Sequence, residues 1–186
     1  MNNSQQSSSN IVASSGVFQI EFLKETRKED FGQLISISRS LENKFGSRAV
    51  LTDNTIKKYF NHPKSLPFIA RYRNEIIGYI IGIPLEALNQ EPWVRTEENF
   101  GKMNTLYTYA FIIMEDFKKN GYAKMLKKVY LSRAEKIDNI EYITGHVAQG
   151  VSSRFKGNIE LVGEIKNWQG TKKTFEYYRR YLKVSS

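Results

Sequence analysis

At 186 residues with no cysteine, only His62 and His146, and a net charge of +9, the chain excludes several chemistries at once. Disulfides, thiol nucleophiles and cysteine-bound zinc are ruled out, a histidine-rich metal site has too few ligands, and the positive charge favours anionic partners. No apolar run approaches the ~20 residues of a membrane span.

The start of the chain lacks a basic region followed by an apolar one, so no secretory signal is expected and cytoplasmic residence is the default. An apolar share of 40% with 13% aromatics fits a globular chain, and the length fits one domain with a sizeable core. Met1 to about Gly16 is rich in Ser, Asn and Gln and is expected to be a disordered tail, leaving 17–186 as the single domain. Val17–Leu23 alternates as a first strand. Thr26 with Glu29 has the spacing of a capping box, and Phe31, Leu34, Ile35, Ser38, Leu41 and Phe45 follow near helical spacing up to Gly46. A shorter helix from Asp53 carries Ile56, Tyr59 and Phe60 and ends before Pro63.

Pro67–Tyr72 and Ile76–Ile83 are β-rich runs joined by a tight connection at Arg73-Asn74-Glu75. Pro84–Met103 is polar and reads as a long loop or small helix holding Trp93. A strand at Thr105–Ile113 then leads through Glu115-Asp116-Phe117-Lys118-Lys119-Asn120 to a helix over Gly121–Ile137, with Tyr122, Met125, Leu126, Val129, Tyr130 and Ala134 as its apolar stripe. Glu141–Val147 is another strand, Gln149–Asn158 has room for only a short helix, and Ile159–Trp168 with Lys173–Leu182 forms a closing hairpin. Hairpin strands interrupted by helices imply an α/β fold with a mixed, mostly antiparallel sheet of about six to seven strands and helices on both faces.

The strand–loop–helix unit at 105–137 is the informative one. The first N–H groups of a helix have no internal partners and carry the positive end of its dipole, which makes a cradle for phosphate. Gly121 lets the main chain approach such an anion without a Cβ in the way.

In this order of elements the chain resembles the GNAT superfamily of acyl-CoA-dependent N-acetyltransferases over roughly residues 17–183. That family's cofactor motif, Arg/Gln-x-x-Gly-x-Gly/Ala, is filled here by Lys118-Lys119-Asn120-Gly121-Tyr122-Ala123, with lysine in place of Arg or Gln. The resemblance implies that the segment Lys118, Lys119, Asn120, Gly121, Tyr122, Ala123 and Lys124 binds the pyrophosphate of acetyl-CoA. It also implies that the pantetheine arm pairs along Phe111, Ile112 and Ile113, where a backbone N–H polarises the acetyl carbonyl.

An alkyl amine near pKa ~10.4 is mostly protonated at pH 7, which adds about 4–5 kcal/mol to the barrier unless a base or water chain assists. Family members often carry a carboxylate on the fourth strand, and this chain has none there. Strict alternation puts Tyr107, Tyr109, Phe111 and Ile113 on one face and Leu106, Thr108, Ala110 and Ile112 on the other. Tyr107 and Tyr109 are candidates to hold a water, and His146, at the end of the next strand, suits proton transfer. Glu115 serves only if it turns into the cleft. The family's leaving-group acid is usually a tyrosine on the fourth helix, where this chain has Phe155. Either Tyr177 or Tyr178 substitutes, or the thiolate leaves unassisted.

The loop 84–103 is a candidate wall for the acceptor, where Glu86, Glu91, Glu97 or Glu98 favours a cationic amine if it faces inward; Trp93 reads as an anchor for the loop. The expected function is acetyl transfer from acetyl-CoA to a small-molecule or peptide amine by direct attack, without metal, membrane or nucleic acid; a homodimer is compatible with the resemblance. Two alternatives stand beside it. One is an inactive acyl-CoA sensor of the same fold. The other is a basic nucleic-acid-binding domain, suggested by the aromatic and basic residues of Phe175–Tyr181.

Overall fold

The computed structural model describes residues 8–183. Its strands in chain order are β1 (Ser8–Ser15), β2 (Phe18–Glu25), β3 (Leu66–Tyr72), β4 (Glu75–Pro84), β5 (Thr105–Ile113), β6 (Tyr142–Ala148), β7 (Ile159–Ile165) and β8 (Phe175–Tyr181). The helices are α1 (Lys28–Ser38), α2 (Glu42–Phe45), α3 (Asp53–Thr55, continued by a π turn over Ile56–Phe60) and α4 (Tyr122–Ala134). All eight strands form one sheet, ordered β1-β2-β3-β4-β5-β6-β8-β7. Every neighbouring pair is antiparallel except β5 and β6.

The central strands of the sheet are buried on both faces. On one, Phe31 and Leu34 of α1 and Ile56 and Phe60 pack with Tyr79, Ile81 and Ile83 of β4. On the other, Leu126, Tyr130 and Ala134 of α4, four residues apart, meet Phe68, Ile80 and Leu106. Burying side chains of this size contributes roughly 1.5–3 kcal/mol each. Tight turns set the hairpins: Arg73 and Asn74, at φ 49° and 72°, make the mirror-image turn that suits twisted strands.

Three expectations need correction. The sheet has eight described strands, not six to seven, and the extra one is β1, inside the segment expected to be disordered; residues 1–7 of that segment lie outside the described residues. β1 pairs with β2 through the two-residue turn Gly16-Val17, with Gly16 at φ 59°. Ile11 and Val12 on β1 remain 58% and 46% exposed. Ladder hydrogen bonds rather than burial hold this strand, which a burial-based reading of composition misses.

Thr26 does not cap α1. Its backbone is instead tied both ways to the Asn61 side chain, at 2.7 and 3.1 Å, and a capping box forms at Thr52 and Thr55. The expected short helix within 149–158 shrinks to a turn at Ser152–Arg154. Gly150 N–H, Ser152 N–H and Ser152 Oγ all donate to the buried Glu176 carboxylate at 2.6–3.0 Å, which fixes that turn.

Candidate active site

β5 and β6 run parallel from Thr105 opposite Tyr142 to Tyr107 opposite Thr144 and then part. On its other side β5 carries a bulge. Ile81 pairs with Ala110 and Gly82 with Thr108, so Tyr109 is the extra residue. That one insertion inverts the facing pattern beyond it. Tyr107, Tyr109, Ala110 and Ile112 belong with the α1–α3 core, whereas Leu106, Phe111 and Ile113 belong with α4. The strict alternation expected for this strand, which grouped Phe111 and Ile113 with the tyrosines, is therefore corrected.

Met114 N–H donates to Ile77 O at 2.8 Å, toward β4. By strand alternation Ile112 also turns its backbone groups to β4, while those of Phe111 and Ile113 face the side that β6 has vacated. A pantetheine arm is an amide-bearing chain that fits such a free edge through Phe111 and Ile113 but not through Ile112.

The edge leads directly to the loop. Lys119 and Gly121 both sit at positive φ, 67° and 79°, and Gly121 is the N-cap of α4 with no side chain to cap it. Met125 N–H is the first helical amide to reach a carbonyl, that of Gly121 at 3.0 Å, so those of Tyr122, Ala123 and Lys124 precede the ladder. A Cβ on Gly121 would meet nothing within 4 Å. The space in front of these amides is open, as a phosphate cradle requires.

The side chains of this segment differ in role. Lys118 pairs with Glu115 at the rim, Asn120 closes the turn by donating to Phe117 O and Lys118 O at 3.3 Å, and Lys119 and Lys124 are exposed. The Tyr122 ring stacks on Phe18 at 4.1 Å and is structural.

A cavity of about 840 Å³ passes through the gap between β5 and β6. Its α1–α3 side is walled by Tyr59, Tyr109, Trp93 and Trp168, with Glu91 and Arg48 at 3.6 Å from each other. Its α4 side is walled by Ala123, Lys127, Tyr130, Gly145, Phe155 and Tyr178.

The expected catalytic residues fall on the first side. His146 Nδ1 lies 2.9 Å from Tyr107 Oη, its ring stacks on Trp168 at 3.8 Å, and Tyr177 and Trp93 pack within 4.8 Å. In either tautomer Nε2 is left without a partner. Burial lowers the His146 pKa to about 3, which keeps the ring neutral and makes it a weak base. Burial, reinforced by neighbouring phenols, raises the Tyr107 and Tyr109 hydroxyls above their usual value, so both stay protonated near neutrality.

His146 carries a pH signature. With a folded value near 3 against about 6.5 unfolded, the unfolded chain binds the extra proton between those limits. Stability is then expected to fall as pH drops from ~6.5 toward 3, by up to about 1.4 kcal/mol per pH unit. Denaturant melts of His146→Phe should show a shallower slope in that window.

Tyr177 lies on the face away from Phe155, so of the two tyrosines considered as acid only Tyr178 stands beside it, at 5.0 Å between rings. Gly145 opposite leaves room for that phenol; a Cβ there would sit 3.1 Å from it.

Three of the four loop glutamates do not face the cavity. Glu86 accepts from Gly101 N–H and Met103 N–H at 3.0 Å, and Glu97 and Glu98 pair with Arg179. Only Glu91 lines it. Arg179 is buried and Arg180 donates to Lys156 O at 2.6 Å, so both arginines of Phe175–Tyr181 have partners within the protein. Trp168 belongs to a turn with no motif of its own, and Arg48 to a short turn after α2; neither was foreseeable from spacing.

The Acetyltransferase (GNAT) family profile matches residues 28–152, two thirds of the chain. The chain belongs to the GNAT family. Comparison with curated protein sequences finds no match.

Among solved structures, NAA60 of Arabidopsis thaliana in complex with a bisubstrate analogue is similar with a TM-score of 0.61 at 15% identity, covering 83% of this chain and 95% of that one. Naa50 of Arabidopsis thaliana with the bisubstrate analogue CoA-Ac-MVNAL has a TM-score of 0.62 at 13% identity, over 88% and 98%. YncA of Salmonella typhimurium with acetyl-CoA has a TM-score of 0.63 at 14% identity, over 91% and 96%. At these identities the likeness establishes the shared fold.

Proposed function

We propose that this GNAT protein is an N-acetyltransferase that moves an acetyl group from acetyl-CoA to a primary amine, with both substrates held at once in the cavity. The observation that carries the reading is the free edge of Phe111 and Ile113 running into the uncapped start of α4. The amides of Tyr122, Ala123 and Lys124 would hold the pyrophosphate, and Phe111 and Ile113 the pantetheine arm. The similar structures solved with acetyl-CoA and with CoA-Ac-MVNAL support the donor and a small-molecule or peptide amine as acceptor.

The acceptor enters from the α1–α3 side, where aromatic rings surround Glu91. The Glu91 carboxylate, which Arg48 already approaches at 3.6 Å, would exchange that exposed partner for a cationic amine, and the rings of Tyr59, Tyr109 and Trp93 receive its apolar or charged body. With His146 a weak base and both β5 tyrosines protonated, the amine's proton leaves through water.

Thiol release from acetyl-CoA, measured across polyamines, amino acids, aminoglycosides and peptides, tests this reading. Glu91→Gln should raise KM for the accepted amine about tenfold and leave kcat within about threefold, as expected for a lost charge-assisted contact. The absence of a carboxylate on β5 and the weak basicity of His146 favour a second reading, an acyl-CoA-binding protein without turnover. That reading predicts acetyl-CoA binding with no amine-dependent thiol release.

A further inference from the structure

The α4 side of the cavity holds a cation that cofactor binding by backbone amides does not use. Lys127 lies one turn inside α4, four residues after Ala123, and its half-buried side chain lines the cavity. Its Nζ sits 3.7 Å from the centre of the Phe155 ring, and Phe155 in turn meets Tyr178 edge-on. The ammonium therefore stands over the ring that takes the place of the tyrosine which the family resemblance puts beside the thiolate. No carboxylate pairs with it among the described residues.

We propose that Lys127 is the proton donor to the departing thiolate of coenzyme A, in the place where Phe155 has no proton to give. This rests on the acetyl-transfer reading above. The amine nitrogen forms its bond to the acetyl carbon as the carbon–sulfur bond breaks, and sulfur takes the electron pair. Lys127 Nζ gives sulfur a proton, the amine loses one to water, and solvent reprotonates Lys127.

The competing donors are weaker. The titratable groups that line the cavity with Lys127 on this side are Tyr178 and Arg180 from β8, Tyr130 from α4, and Lys118 with Glu115 at the rim, and the charge of Arg180 acts on it directly. Burial raises the phenols of Tyr130 and Tyr178 above their usual value, so proton transfer from either to a thiolate near pKa ~8.5 runs uphill. Arg180 keeps its proton throughout the working range. Burial, with the charge of Arg180 beside it, lowers Lys127 to about 8. That is close to the thiol it would protonate, which is where general acids work best.

The first test needs no acceptor. Coenzyme A is bound to the folded protein and its thiolate absorbance is followed with pH. An ammonium beside the sulfur should lower the thiol's pKa by about one unit or more relative to Lys127→Met. Coincident titrations of parent and Lys127→Met would overturn the proposal.

Single-turnover acetyl transfer then separates proton donation from charge. Lys127→Met should slow it about 100-fold and remove the parent's decline above about pH 8, while KM for acetyl-CoA changes little. Lys127→Arg should keep the low thiol pKa yet stay as slow as Lys127→Met; full recovery in Lys127→Arg would overturn the assignment. Failure of the folded parent to bind coenzyme A would instead overturn the acetyl-transfer reading on which it rests.

Discussion

Gly121→Asp is expected to weaken acetyl-CoA binding by at least about 100-fold, equivalent to about 2.7 kcal/mol. The new carboxylate would stand at the mouth of the Tyr122–Lys124 amides and take the place of the pyrophosphate. The folding cost is small for two reasons. A Cβ at this position meets nothing within 4 Å, and aspartate tolerates left-handed backbone better than most residues while suiting the positive end of a helix. Calorimetric titration should show the loss while the circular-dichroism melt stays within a few degrees of the parent. Gly121→Asn, similar in shape without the charge, should lose less. Equal affinity in the parent and Gly121→Asp would remove the cradle from the account.

The second large effect is on stability. Arg179 of β8 and Glu97 of the loop before β5 have side chains only 4% exposed and pair at 2.6 Å. Arg179 also reaches Glu160 at 3.2 Å, which Tyr181 Oη steadies by donating at 2.8 Å. Removing one member of a buried pair strands the other charge, at a cost of about 3–5 kcal/mol. Arg179→Ala should therefore lower the melting temperature by roughly 6–20 °C for a chain of this size. Arg179→Met combined with Glu97→Gln should recover much of that loss, since it leaves no buried charge unpaired and the remaining partners, Glu98 and Glu160, are exposed to solvent. If Arg179→Ala melts with the parent, the pair is not buried in solution.

This network also bears on the site, because the loop it anchors carries Glu91 and Trp93 along the acceptor wall. Loosening that wall should raise KM for the amine even where the protein remains folded.

The segment proposed to hold the cofactor was legible from local features. Gly121 opening a helix directly after an apolar strand is a matter of adjacent residues, and the strand, turn and helix form where their spacing says. The acceptor half was not. His146, Tyr107, Trp93 and Trp168 lie far apart in the chain and meet only because β8 returns beside β6 and the 168–170 turn folds over the gap. The bulge at Tyr109 leaves no mark in composition, yet it exchanges the faces of every residue after it. The polar β1 was hidden because backbone pairing, not apolar burial, holds it.

What the sequence by itself determined is the order of strands and helices after β1, the strand–loop–helix unit at 105–137 and the membership of a fold, all set by short-range periodicity and turn chemistry. The tertiary structure alone decided which of four loop glutamates faces the cavity, which tyrosine stands beside Phe155, and that Lys127 does so too. Those outcomes depend on pairing register and burial between segments up to 82 residues apart, as Arg179 and Glu97 are. Desolvation then sets the protonation of the groups so gathered, and desolvation exists only once the chain has closed around them.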